Sequence, residues 1–165
     1  MAQQTVIPLD QMAHRLFGFV DALDVEAINE LITDDCEEVD EISRSWRRGK
    51  AEVEAYFGEV LAAISDVHTD LRDLAVREWA DTGVITCVID QTYRYEGRNE
   101  RVIAPTTLLL RREDGDWRIA LMHTVPLLAR WPISGRASRF LFPDLKPPPW
   151  KCTTNGALTG RSRRQ

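Results

Sequence analysis

The stretch Thr107–Val125, TLLLRREDGDWRIALMHTV, decides the fold class of this chain. Two runs rich in apolar and β-branched residues flank Glu113-Asp114-Gly115, which has the composition of a tight hairpin turn. Alternation at a period of two predicts two antiparallel strands, 100–112 and 116–127. On the second strand, the alternation places four side chains on the concave face of the expected sheet: Ile119, Leu121, His123 and Val125.

Upstream of this hairpin, residues 67–79 and 84–95 show the same period and predict two more strands of an antiparallel meander. Before them, apolar residues at helical spacing predict helices over residues 9–23, after Asp24, and after Gly49. A short strand is expected over residues 36–43, after Asp34-Asp35 ends the second helix. Helices first and a meander afterwards predict an α+β domain, with N-terminal helices packed in a curved antiparallel sheet that forms a cone.

Composition supports one globular domain with a core of its own. The chain has 165 residues, of which 44% are hydrophobic and 28% charged, which excludes collagen-like, coiled-coil and wholly disordered classes. No apolar run could span a bilayer, and residues 1–5 lack the pattern of a signal peptide. Cys36, Cys87 and Cys152 are odd in number and far apart, so we expect a cytoplasmic protein without a disulfide framework or metal site.

Charge divides the chain into two segments. Residues 1–128 carry a net charge of −12, whereas residues 129–165 carry +7. We therefore expect a domain over 1–128 and a basic extension with Pro and aromatic residues over 129–165, partly disordered. The acidic domain argues against binding nucleic acid. Three alternatives stay open for the extension: it is mostly flexible, it packs on the acidic domain of its own or a partner subunit, or it tethers the protein to an acidic partner or RNA.

Several short motifs identify a family resemblance. Arg48-Gly49-Lys50-x-x-Val53-x-x-Tyr56-Phe57 resembles the start of a helix in SnoaL-like domains of the NTF2-like superfamily. The run Gly115-x-Trp117-Arg118-Ile119, followed by His123-x-x-Pro126, resembles the close of those domains. The resemblance implies a cystatin-like cone, no organic cofactor or metal, and a homodimer formed through the sheet. The superfamily includes isomerases, cyclases, hydrolases, dehydratases and non-catalytic association domains, so the fold alone does not give the reaction.

Ketosteroid isomerases share this fold, and their general base is an aspartate on the first strand. Counting from Asp35 to Gly49 without a gap, that position falls on Asp40. The positions of their two oxyanion-hole donors fall near Leu16 and Pro105, which cannot donate from their side chains. Steroid isomerase activity is therefore not expected.

These considerations give a site hypothesis. Asp40 is predicted as a general base and His123 as the acid or orienting group, in a cone that binds a small hydrophobic carbonyl or cyclic substrate. Five further residues are predicted to contact the ligand: Trp46, Tyr56, Tyr93, Leu121 and Thr107. All of these residues also have a plainer interpretation. Asp40 lies in a run of acids that would form an exposed surface, and the aromatic residues could simply fill the core.

Two functional hypotheses follow. The first is a cofactor-independent isomerase, cyclase or hydrolase that uses acid–base chemistry. The alternative is a non-catalytic module of the same fold that binds a ligand or drives association.

Overall fold

The computed structural model describes residues 7–40 and 44–125. The predicted extension, 129–165, lies outside the described residues. Among those described, no helix is long and apolar enough to cross a bilayer. The helices are a 3-10 turn, Leu9–Gln11, and α1 (Met12–Asp21), α2 (Val25–Leu31) and α3 (Lys50–Ala63). The strands are β1 (Ile32–Val39), β2 (Arg47–Arg48), β3 (Ile64–Trp79), β4 (Thr82–Tyr95), β5 (Arg98–Glu113) and β6 (Asp116–Thr124).

The strands form one curved sheet in the order β2-β1-β6-β5-β4-β3. Strands β3 to β6 are the predicted antiparallel meander, and β1 joins it by pairing parallel to β6. Helices α1 and α3 pack on one face of the sheet, which we call the inner face, and the opposite face is the outer face. The α+β class and the order of helices and strands predicted from the sequence are confirmed.

The inner face of β4 follows the predicted alternation. Ile85, Cys87 and Ile89 are buried there, and they continue into Gln91 and Tyr93. Their neighbours on β5 include Leu108, and apolar side chains of α1 pack against both strands. Fully buried side chains of this core include Met12, Ile28, Ile85, Leu108, Leu110 and Ile119.

Strand β1 begins earlier than predicted. Helix α2 ends at Leu31, and the chain is already extended at Ile32, so Asp34 and Asp35 lie inside the strand. Ile32 is 1% exposed and pairs with Ile119 of β6. The predicted start of this strand at residue 36 was wrong, because this tertiary pairing outweighs the local preference of two aspartates for a turn. The strand ends at Val39, and residues 41–43 of the predicted range lie outside the described residues.

A β-bulge in β6 reverses the predicted alternation of that strand. Leu110 pairs with Ile119 and Leu109 pairs with Leu121, so Ala120 is an extra residue without a partner across the ladder. Beyond the bulge, Met122 is buried on the inner face, whereas Leu121 and His123 pair with outer-face residues. The prediction that Leu121 and His123 face the concave side together with Ile119 was therefore wrong.

A glycine turns the chain into α3. Gly49 has φ +84° and ψ 150°, and its N–H donates to the Cys36 carbonyl at 2.8 Å. That backbone region is essentially restricted to glycine, because a Cβ clashes with the neighbouring peptide groups. The bond to β1 fixes where α3 starts relative to the sheet.

We expect Gly49→Ala to lower the free energy of unfolding by about 1–3 kcal/mol, the cost of holding a Cβ residue in this region. Gly58→Ala is the matched control, since Gly58 lies within α3 and an added Cβ meets no atom within 4 Å. That control should raise stability by up to about 1 kcal/mol, because alanine favours helix. Urea unfolding followed by circular dichroism measures the free energy of unfolding of both variants. Equal changes in the two variants would contradict a backbone requirement for glycine at position 49.

An ion pair joins β1 to β5 across the intervening β6. Arg111 donates from Nη1 to Asp35 Oδ2 and from Nη2 to Asp35 Oδ1, both at 2.8 Å. Thr33 Oγ1 also donates to Asp35 Oδ1 at 2.8 Å. These hydrogen bonds, led by those from Arg111, lower the pKa of Asp35 from 3.8 to about 2.

Because the pKa of Asp35 is lower in the folded state, this carboxylate stabilises the fold above pH 3.8, and the contribution is lost as pH falls towards 2. Asp35→Asn should therefore be less stable than wild type at pH 6, and the difference should shrink between pH 4 and pH 2. Urea unfolding at several pH values tests this, with Asp34→Asn, an exposed neighbour on the same strand, as the control. A difference that does not change with pH would show that the pair does not act through ionisation.

Candidate functional site

A cavity of about 80 Å³ lies between α1, α3 and the inner face of the sheet. Most of its wall is apolar, and the helices contribute Leu16, Phe17, Val20, Phe57, Val60 and Leu61. Pockets for drug-sized ligands have volumes of about 300–1,000 Å³, and a cavity of about 150 Å³ holds benzene. This cavity therefore suits a compact molecule no larger than one small ring.

Asp40 directly follows β1 and lines this cavity, as the sequence predicted. The hydroxyl of Tyr56, a residue that is 8% exposed, donates a hydrogen bond to Asp40 Oδ2. The guanidinium carbon of Arg47 lies 4.2 Å from the centroid of the Tyr56 ring, within the range of a cation–π contact. Tyr56 thus holds one oxygen of the Asp40 carboxylate in place, and the Arg47 guanidinium packs against the Tyr56 ring.

Glu38 is a cavity residue that the sequence analysis missed. It is 2% exposed, and it lines the same wall as Asp40 two positions earlier in the chain. The alternation of Cys36, Glu38 and Asp40 was the available signal, but acids on both faces of the segment obscured it. The site therefore has two carboxyl groups on one wall, groups that can accept and donate protons.

The described cysteines do not supply a nucleophile. Burial, together with the negative charge of Glu38, raises the pKa of the Cys36 thiol to about 12. Burial also raises the pKa of the Cys87 thiol. Both thiols stay protonated near neutral pH, and the thiolate is the reactive form.

His123 does not line the cavity, contrary to the sequence prediction. Its backbone pairs with Val39, next to Asp40, but its side chain is exposed on the outer face. There its ring lies 6.1 Å from that of Trp46, measured between centroids. The structure therefore does not bring Asp40 and His123 together in one cavity, because the bulge at Ala120 turns the histidine to the other side.

The five predicted ligand contacts also divide between the two faces. Tyr93 lines the cavity, and Tyr56 reaches it through its bond to Asp40. Thr107 pairs with His123 on the outer face, and Leu121 pairs with Leu109 there. Trp46 is 44% exposed and contacts His123. None of these last three lines the cavity.

The outer face carries a strip of half-buried apolar side chains. We call it the outer strip, and it consists of Val84, Val88, Pro105, Leu109 and Leu121.

At one end of the outer strip, a buried carboxylate holds two arginines. Arg101 donates to both oxygens of Asp90 at 2.7 Å, and Arg72 donates to Oδ2. The hydrogen bonds from Arg101 are the main cause that lowers the pKa of Asp90. Asp90 is 4% exposed although it lies on the outer face, because these two side chains cover it.

Solved structures share this fold. A ketosteroid isomerase-like protein from Erwinia carotovora atroseptica is 18% identical, with a TM-score of 0.65 over 76% of this chain and 98% of that chain. A structure named as a dehydratase of the NTF2-like family, from Streptomyces avermitilis, is 18% identical, with a TM-score of 0.65 over 72% and 93%. At such identities the likeness shows the fold alone.

A third structure, from Xanthomonas campestris, is named for a calcium/calmodulin-dependent protein kinase II association domain. It is 19% identical, with a TM-score of 0.64 over 71% of this chain and 84% of that chain. No curated protein matches the sequence.

The family comparison covers most of the chain. The SnoaL-like domain matches residues 10–127, a range that contains both helices that line the cavity and all six strands. The motifs around Gly49 and Trp117, from which the resemblance was predicted, both lie inside the matched range. The chain therefore belongs to the SnoaL-like domain family and has the NTF2-like, ketosteroid isomerase-like fold.

Proposed function

We propose that this protein catalyses cofactor-independent proton transfer on a compact, largely apolar carbonyl compound, as an isomerase or a dehydratase does. The observation that carries the proposal is the placement of Asp40 on the wall of an apolar cavity, with its carboxylate held by the buried Tyr56. A positioned carboxylate in such a site acts as a general base. The names of two structures with the same fold, a dehydratase and a ketosteroid isomerase-like protein, support this class of reaction.

In the proposed reaction, Asp40 removes a proton from the carbon beside the substrate carbonyl, and the electron pair moves onto the carbonyl oxygen. In a β,γ-unsaturated carbonyl substrate, the electron pair moves back from the oxygen, the double bond shifts to the α,β position and the proton returns to the γ carbon, which gives the conjugated isomer. In a β-hydroxy carbonyl substrate it goes instead to the departing hydroxyl, which leaves as water. The single hydroxyl proton of Thr106 is donated to the Ala104 carbonyl at 3.3 Å, so the hydroxyl of Thr124, which also lines the cavity, is the candidate hydrogen-bond donor to the developing oxyanion.

The size and lining of the cavity restrict the substrate. About 80 Å³ does not admit a steroid, and Leu16, at one of the positions where a ketosteroid isomerase has a donor, is part of the apolar wall. The proposed substrates are therefore single-ring or short-chain carbonyl compounds.

Asp40→Asn should reduce base-catalysed exchange about 100-fold or more, because a positioned general base contributes roughly 10²–10⁴ in rate. The assay follows deuterium incorporation beside the carbonyl of cyclopentanone in D₂O by proton NMR, with and without protein. Asp34→Asn, which alters an exposed carboxylate on β1, should retain the wild-type rate.

Two results would contradict the proposal. One is equal exchange by Asp40→Asn and wild type. The other is binding of compact ketones by wild type without any exchange above the protein-free rate, which would make the cavity a binding site of a non-catalytic module.

We also propose that the outer strip joins two copies of this chain into a homodimer. Five half-buried apolar side chains on one sheet face suit packing against an identical face, at the spacing of about 10 Å found between stacked sheets. One structure with the same fold is named for an association domain, which supports self-association in this fold.

Val88→Glu should convert the dimer into a monomer, because it places a charge in the middle of the outer strip, where Val88 pairs with Pro105. Light scattering after size-exclusion chromatography should then give the mass of one 18.9 kDa chain instead of two. Ala62→Glu, on the exposed side of α3, should leave the dimer intact. A wild-type protein with the mass of a single chain would rule out this interface.

A further inference from the structure

A row of hydrogen bonds runs from the cavity wall to the end of α1. Gln91 lines the cavity, and its Nε2 donates to Thr69 Oγ1 at 2.8 Å. Thr69 Oγ1 in turn donates to Asp21 Oδ1 at 2.6 Å, and the Thr69 N–H donates to Asp21 Oδ2 at 3.0 Å. Asp21 and Thr69 do not line the cavity, and Thr69 contacts its wall through Gln91.

The chemistry of these groups fixes the orientation of the amide. An ionised carboxylate only accepts hydrogen bonds, so the single hydroxyl proton of Thr69 is used on Asp21. Thr69 Oγ1 can then only accept from Gln91, which must offer an N–H and not its carbonyl oxygen. A flipped amide would place two acceptors against each other.

This orientation leaves the carbonyl oxygen of Gln91 available. Within residues 7–40 and 44–125, Gln91 makes one side-chain hydrogen bond, through Nε2, and Oε1 accepts none. Much of the surrounding wall is apolar, including Ile89 and Leu108. A ligand that fills the cavity without a donor would remove water from Oε1 and supply nothing in its place, which is costly.

The position of Asp21 is a second observation that the hydrogen bonds from Gln91 through Thr69 to Asp21 serve the cavity as well as the helix. Asp21 is the last residue of α1, where the helix dipole disfavours a negative charge. Its carboxylate instead accepts two hydrogen bonds from Thr69, a residue 48 positions away on β3. The arrangement anchors the threonine that orients the cavity amide.

We propose that Gln91 is the specificity-determining residue of the cavity, that its Oε1 accepts a hydrogen bond from a ligand hydroxyl, and that Thr69 and Asp21 are positioning residues. Because Gln91 and Asp40 line the same cavity, this role rests on the proposed function and narrows its substrates to compact hydroxylated carbonyl compounds. A site that hydrogen-bonds a ligand hydroxyl discriminates against an analogue that lacks it, because the polar group of the protein then loses water on binding and gains no partner in exchange.

The test compares binding of cyclopentanol with that of fluorocyclopentane, which has a similar shape but no donor, by titration followed with nitrogen–proton NMR. Wild type should prefer the alcohol about 2–12-fold, the range expected for one net hydrogen bond. Gln91→Met should abolish the preference for the alcohol but still bind both probes, because methionine is similar in size to glutamine and keeps the cavity apolar. Thr69→Val should reduce it, and Thr69→Ser, which restores a hydroxyl, should recover it.

Neither probe has a carbonyl, so their binding does not depend on proton transfer. Exchange of cyclopentanone by wild type measures the base separately from this preference. A preference of wild type for cyclopentanol without exchange in any variant would leave Gln91 as a binding residue and overturn only the proposed reaction. Equal binding of both probes by wild type, no binding of either, or a preference retained by Gln91→Met would overturn the assignment of Gln91.

Discussion

The packing of α1 against the inner face of the sheet is the interaction on which the rest of this structure depends. The helix is fixed at both ends. Before it, Leu9 lies so close to β4 that a Cβ on Gly83 would fall 2.7 Å from Leu9 Cδ2. At its end, Asp21 bonds to Thr69 of β3. Between these points its apolar side chains cover the sheet, and the space left between α1, α3 and the sheet is the cavity.

The alternation along β1 and the bulge in β6 then decide which side chains reach that cavity. The chain enters β1 at Ile32, and the alternation that buries Cys36 also directs Glu38 and Asp40 inward. The bulge at Ala120 moves Met122 inward and His123 outward. One extra residue in a strand exchanges the two faces beyond it, because successive side chains point in opposite directions.

Two polar groups of the site, Asp40 and Gln91, are held by side chains that do not line the cavity. Tyr56 and the arginine stacked on it hold Asp40 from the side of α3, and Thr69 holds Gln91 from the side of α1. Such support limits the motion of side chains that must meet a ligand in one geometry. The outer face uses ion pairs instead, and Asp90 is covered there by two arginines.

Local patterns in the sequence determined the helices, the meander, its hairpin turns and the family, because hydrophobic period and turn composition depend on neighbouring residues. The resemblance to ketosteroid isomerases, aligned on Asp35 and Gly49, also directed attention to Asp40, and the structure places this residue on the cavity wall. Only the tertiary structure decided the rest. His123 faces outward because of a bulge that no local pattern marks, and Glu38 faces inward although acids surround it in the sequence. The bond from Gln91 to Thr69 spans 22 positions and forms when β4 pairs with β3. The bond from Thr69 to Asp21 spans 48 positions and forms only when α1 packs on the sheet.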